Sequence, residues 1–146
     1  ILRSHGITFR ERYLPESDYD IEGGNKCMNR LFDTNRTMPT AVMAINDFSA
    51  VGVMRSVKER GLRIPEDMAV VSFDNTFLVD TVMPRLTSVC YDYDLLGKTL
   101  VDTAVRLING EEVPAVQRIP SRLVVRNSTV KTAPDPDWQS CKASEI

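Results

Sequence analysis

Two polar pairs, Asn46-Asp47 and Asp74-Asn75, each close an apolar run, Thr40–Ile45 and Ala69–Phe73. Their residue types suit recognition of a neutral polyol or nucleoside-like molecule. Such a ligand offers neighbouring hydroxyls that donate and accept. A carboxylate accepts from two of them at once, and a carboxamide donates and accepts together. If the two runs are adjacent parallel strands, Asn46 and Asp74 stand at their carboxyl ends and point into one crevice. Each residue also has a plainer use. Asn46 and Asp47 can cap the helix that follows them, with Asp47 assigned mainly to that task. Asp74 can close a turn with Asn75. An aspartate after an apolar strand also fits the phospho-acceptor of a receiver domain, but Asn46-Asp47 does not supply the second acidic pair which that chemistry wants.

Constellations for catalysis are missing. The sole histidine, His5, sits in a helix-terminal turn without a partner motif. There is no G-x-S-x-G, no phosphate-binding glycine loop and no zinc spacing. Cys27, Cys90 and Cys141 are an odd set without metal spacing and read as reduced thiols of a cytosolic protein. No enzymatic activity, metal or cofactor is therefore expected. The formal net charge of −2 over 146 residues gives no basic field for nucleic acid. Apolar runs are strand-length rather than membrane-spanning, and residues 1–20 carry charges where a signal peptide needs an apolar core.

The elements that must position these groups follow from periodicity. Thr40–Ile45 reads as a strand buried on both faces. After it, Ala50, Val51, Val53, Met54 and Val57 form a helical stripe that Gly61 ends. Ile64-Pro65-Glu66-Asp67 connects to the second strand, completing a β-α-β unit. Upstream, Asp18-Tyr19-Asp20 caps a helix over about 21–35 with Met28, Leu31 and Phe32 as its buried stripe. Gly23-Gly24 in its first turn costs about 1 kcal/mol each relative to alanine, and Gly23 has no account from sequence. Downstream, 76–83 reads as a short helix and Thr87–Tyr91 as a strand. A periodic helix follows over Tyr93–Asn109, then strands at Val116–Ile119 and Arg122–Val125. The tail from Lys131 has little to bury and is expected to be disordered.

The β-α-β unit and its flanks resemble the C-terminal half of the effector-binding domain of LacI/GalR-family bacterial transcription regulators. The resemblance is carried by Pro39-Thr40-Ala41, Ala44-Ile45-Asn46-Asp47, Ala50-Val51-Gly52, Gly61–Pro65, Asp67 and Val70–Asp74. Further on, Pro84–Val89, Leu96-Gly97 and Leu123–Thr129 continue it. The motifs occur in order and span nearly all of residues 1–130. The family also places a short edge strand near Arg12–Leu14. The implied fold is α/β, a mostly parallel sheet with helices on both faces, as in periplasmic binding proteins. Residues 1–91 and 121–130 would form the C-terminal lobe, and 92–120 would cross to an N-terminal lobe lying mostly upstream.

The resemblance makes Asp74 the effector-binding aspartate and Asn46 the asparagine of the family's N-D pair. It puts Tyr19 where an aromatic stacks on the ligand, although Tyr19 could equally be a rim aromatic without one. The sequence departs from the family at Ser72, which replaces a glycine, and at Cys90 and Tyr91, which replace arginine and glutamine. Tyr91 could close the crevice with its ring. Pairing through the C-terminal lobe is implied too, with Ala50, Val51, Met54, Leu78, Val79, Val82 and Met83 as the expected homodimer surface. The resulting expectation is a cytoplasmic sensor of a sugar-like small molecule. It would reach operator DNA only through a headpiece outside this chain, with no membrane contact. The alternative is a periplasmic sugar-binding protein of an uptake system.

Overall fold

A computed structural model of the chain describes residues 3–8 and 10–132. The expected disorder of the tail falls outside them from residue 133 on. Short 3-10 turns at Arg3–His5 and Glu11–Tyr13 lead into α1 (Ile21–Thr34), β1 (Ala41–Met43) and α2 (Asp47–Glu59). Then come β2 (Ala69–Phe73), α3 (Leu78–Thr81), β3 (Thr87–Tyr91), α4 (Tyr93–Ile108) and β4 (Ser121–Val124). The sheet order is β1-β2-β3-β4. The first three strands are parallel and β4 runs antiparallel to β3. The fold is thus α/β, with the expected β1-α2-β2 unit at its centre.

The core lies between one sheet face and the helices. Met28 and Leu31 of α1 meet Ala50, Val53, Met54 and Val57 of α2, together with Ala44, Ile64, Met68, Val70, Val79 and Leu86. Strand alternation places Val70 and Ser72 on this face and leaves Val71 and Phe73 half-buried on the other. Two glycines let α1 and α2 touch backbone to backbone. A Cβ on Gly24 would collide with the Ser49 carbonyl, and one on Gly52 with the Ile21 carbonyl. This accounts for the helix-weakening Gly24: the propensity cost is the condition of a close crossing. Gly23 is likewise hemmed in by the Asp18 carbonyl, and its amide donates to the Asp20 cap at 2.7 Å.

Several expectations are corrected. Residues 11–13 form a 3-10 turn rather than an edge strand, in keeping with the charged run Arg10-Glu11-Arg12. β1 is therefore itself the sheet edge, only three residues long, and Met43 and Ile45 are exposed rather than buried. Val116–Ile119 is not a strand, since no described strand lies beside it to complete a ladder. The thiols also differ from expectation at one position. Cys27 is free and donates to the Glu16 carbonyl, whereas Cys90 is disulfide-bonded.

Candidate functional site

The carboxyl ends of β2 and β3 build the site. Asp74 directly follows β2 with φ 97°, and Asn75 has φ 52°. Both lie in the left-handed region, which aspartate and asparagine enter more readily than other non-glycine residues. The turn is held from beneath at three successive amides. The Asp74 N–H donates to the Val89 carbonyl at 2.9 Å. The Asn75 N–H donates to Ser88 Oγ at 3.0 Å, and the Thr76 N–H to Asp47 Oδ2 at 2.5 Å. Above this turn the Tyr91 hydroxyl donates to Asp74 Oδ1 at 3.1 Å, and the Tyr93 hydroxyl donates to the Asp74 carbonyl at 2.8 Å. The two rings lie 4.8 Å apart at a tilt of 54°, within the range for an aromatic pair. Burial, with Tyr91 and Asp74 adding to it, raises the Tyr93 phenol above its ordinary range, so the hydroxyl stays protonated as a donor.

Asn46 occupies the cap of α2. Its Oδ1 accepts from the Ser49 amide at 2.8 Å and its Nδ2 donates to the Tyr19 carbonyl at 2.9 Å. The cap reading is thus correct for Asn46, and Asn46 also ties the loop bearing Tyr19 to α2. Tyr19 is 72% exposed. Asp47, expected mainly as a cap, does something else. It is 0% exposed, and its Oδ1 accepts from Ser72 Oγ at 2.5 Å and Ser88 Oγ at 2.9 Å. Ser72 is therefore a partner of this carboxylate, which a glycine could not be.

The four expected site residues thus fall into two groups. Asp74 and Tyr91 are in direct contact. Asn46 and Tyr19 are joined to each other and lie next in the chain to, or near, the Asp47 network. Tyr93 was not anticipated; its only signal in the sequence is its place two residues after Tyr91. A cavity of about 690 Å³ lies along the open edge of β1, lined by Tyr13, Leu14, Tyr19, Met28, Ile45 and Phe73 among others. It includes Tyr19 but not Asp74, Asn46 or Tyr91, so this cavity and the polar groups adjoin without coinciding. No group of three His, Cys, Asp or Glu among the described residues is placed to hold a metal.

Of the seven expected interface residues, Ala50, Met54 and Val79 are buried in this chain's own core, and Val82 packs against it. Val51 and Leu78 are half-buried, and Met83 is 72% exposed. Any contact surface on this side is therefore made by Val51, Leu78, Val82 and Met83, while the other three shape it from below.

A family model for a periplasmic binding protein-like domain matches residues 1–129. Catabolite control protein A of Priestia megaterium is 32% identical over 129 residues, which are 88% of this chain and 39% of that protein. The lactose operon repressor of Escherichia coli strain K12 is 39% identical over 106 residues, 73% of this chain and 29% of that protein. Its solved dimer, bound to operator and the anti-inducer ONPF, superposes with a TM-score of 0.77 at 32% identity, covering 88% of this chain and 38% of that one. The complex of transcriptional regulator CelR with cellobiose superposes with a TM-score of 0.79 at 29% identity, covering 87% and 39%. The chain thus spans well under half the length of these relatives. Their names describe transcription regulators. The chain belongs to the periplasmic binding protein-like domain family, and its relatives there are regulators of the LacI/GalR family.

Proposed function

We propose that this chain is part of the effector-sensing domain of a cytoplasmic, homodimeric, DNA-binding transcription regulator, and that its effector is a sugar-like neutral polyol. The observation that carries the reading is Asp74, held left-handed at a strand end with two tyrosine hydroxyls on it. Tyr91 takes one acceptor position of the carboxylate, which has others for ligand hydroxyls. Tyr19, Tyr91 and Tyr93 supply ring faces for the apolar side of a sugar. Residues 92–120 would belong to a second lobe, and ligand bound between the lobes would shift their relative orientation. That movement would change the operator affinity of a headpiece outside this chain. The rival, a periplasmic uptake protein, is disfavoured because the relatives above are regulators.

The test is a thermal-shift screen of the intact protein against cellobiose, glucose, galactose, ribose and a nucleoside, followed by calorimetry of Asp74→Gly. Glycine suits the positive φ better than alanine, so only the side chain is lost. Affinity is expected to fall by about 1.5–3 kcal/mol, the scale of a hydrogen bond to a charged group, with melting nearly unchanged. Unchanged affinity in a folded Asp74→Gly protein removes Asp74 from the site.

A further inference from the structure

We infer that Asp47 is the positioning residue of the effector site, setting the turn that aims Asp74, although it touches no ligand itself. The inference rests on the reading of Asp74 given above. Ser72 and Ser88 are register partners across β2 and β3, and both hydroxyls donate to the same oxygen, Asp47 Oδ1. The other oxygen takes the Thr76 amide. Ser88 in turn accepts from the Asn75 amide, so two of the three amides after β2 reach the Asp47 carboxylate, one directly and one through a serine. These contacts hold the two consecutive left-handed residues, a conformation that costs energy unless its surroundings enforce it. Asp74 in this turn directs its carboxylate to the Tyr91 hydroxyl. A buried carboxylate with both oxygens engaged on three separate segments is more than a helix-start residue needs, because Asn46 already caps α2.

An amide in place of this carboxylate has one accepting oxygen, so it cannot serve the two serine hydroxyls and the Thr76 N–H together. The experiment is carried out on the intact protein with Asp47→Asn, using the member of the panel above that binds. Calorimetry should show affinity weakened about tenfold or more. The loss should nearly vanish when Asp47→Asn is added to Asp74→Gly, because a residue that acts through Asp74 has nothing left to position. Without ligand, NMR hydrogen exchange should quicken at the Thr76 and Asn75 amides. The Val70 and Leu86 amides, bonded elsewhere to Ser128 and Val79, should keep their protection. If Asp47→Asn does not fold, Ser88→Ala cuts the Asn75 and Asp47 contacts together and is read in the same way. Additive losses in the double variant, or exchange at Asn75 and Thr76 unchanged in a folded variant, overturn the inference. A folded Asp74→Gly protein of normal affinity overturns the site reading instead, and the exchange result still decides whether Asp47 holds the turn.

Discussion

Arg63 grips Asp67 in the connection between α2 and β2, with Nε and Nη2 each 2.9 Å from a carboxylate oxygen, and the Arg63 amide donates to the same group at 2.8 Å. Hydrogen bonding to Arg63 holds the Asp67 carboxyl at about 2, below its ordinary 3.8. A depressed folded-state value stabilises the fold fully above the unfolded value, and the contribution disappears as pH falls toward the folded one. The pair is exposed to water, so the effect is small and salt-sensitive. The urea midpoints of wild type and Asp67→Asn should therefore differ by a constant amount near about pH 5 and converge as pH drops from 3.8 toward about 2. A gap that persists at the acid end would show that the amide side chain disturbs the loop for reasons other than charge. Arg126 is a different kind of arginine. It is 1% exposed, and its guanidinium donates to Asp80 at 3.1 Å, to Asn75 Oδ1 at 2.8 Å and to the Leu86 carbonyl at 3.1 Å. Burial lowers its pKa from the ordinary value, and Asp80 works against that shift. With Asn75 in the site turn and Asp80 in α3, this one side chain fastens the turn to the short helix beside the proposed contact surface.

The α1–α2 pair is the most extensively packed part of the fold, and its geometry depends on glycine rather than on side-chain bulk. Gly52 faces the Ile21 carbonyl and Gly24 faces Ser49, so the two backbones meet where other helix pairs interpose methyl groups. Gly52→Ala would raise helix propensity by about 1 kcal/mol if the helix stood alone. In this protein it should instead destabilise by about 1–3 kcal/mol, because the new methyl has backbone and not a movable side chain in its path. Thermal or urea unfolding checks the sign, and a stabilised variant would show that the helices separate easily. Any separation would also disturb Asn46 and Asp47, which begin α2, so affinity at the site should decline alongside stability.

At the scale of the whole molecule, two of the exposed apolar surfaces among the described residues bear on its partners. One is α4, none of whose residues is buried and whose Leu100, Val101, Val105, Leu107 and Ile108 are all exposed. A helix with this much apolar surface ordinarily has a partner, which agrees with the proposal that residues 92–120 belong to a second lobe. The other runs from Phe77 to Met83, where Phe77 and Met83 are exposed and Leu78 and Val82 half-buried. If this is the twofold surface, Met83→Glu places two charges in one interface and should give folded monomers at micromolar concentration by light scattering. Met54→Glu, at a core position, should unfold the protein instead. A Met83→Glu protein that remains dimeric would move the interface elsewhere.

The sequence by itself determined the β-α-β unit, the helix stop at Gly61, the short helix in 76–83 and the strand-end placement of Asp74, whereas the choice of Asn46 over Asp47 as the cap of α2 came from the structure. Periodicity, capping chemistry and turn residues act within a few positions, so they can be read along the chain. Only the tertiary structure decided what Asp47 does, because its partners Ser72, Ser88 and Thr76 are 25 to 41 residues away and meet it through strand register. The same holds for Gly24 and Gly52, whose justification is a helix crossing. It also holds for the division of one apolar stripe into the buried Met54 and the half-buried Val51. The expected strand at 116–119 failed for a related reason. A strand exists only where a neighbour completes its ladder, and local residue types cannot supply that neighbour.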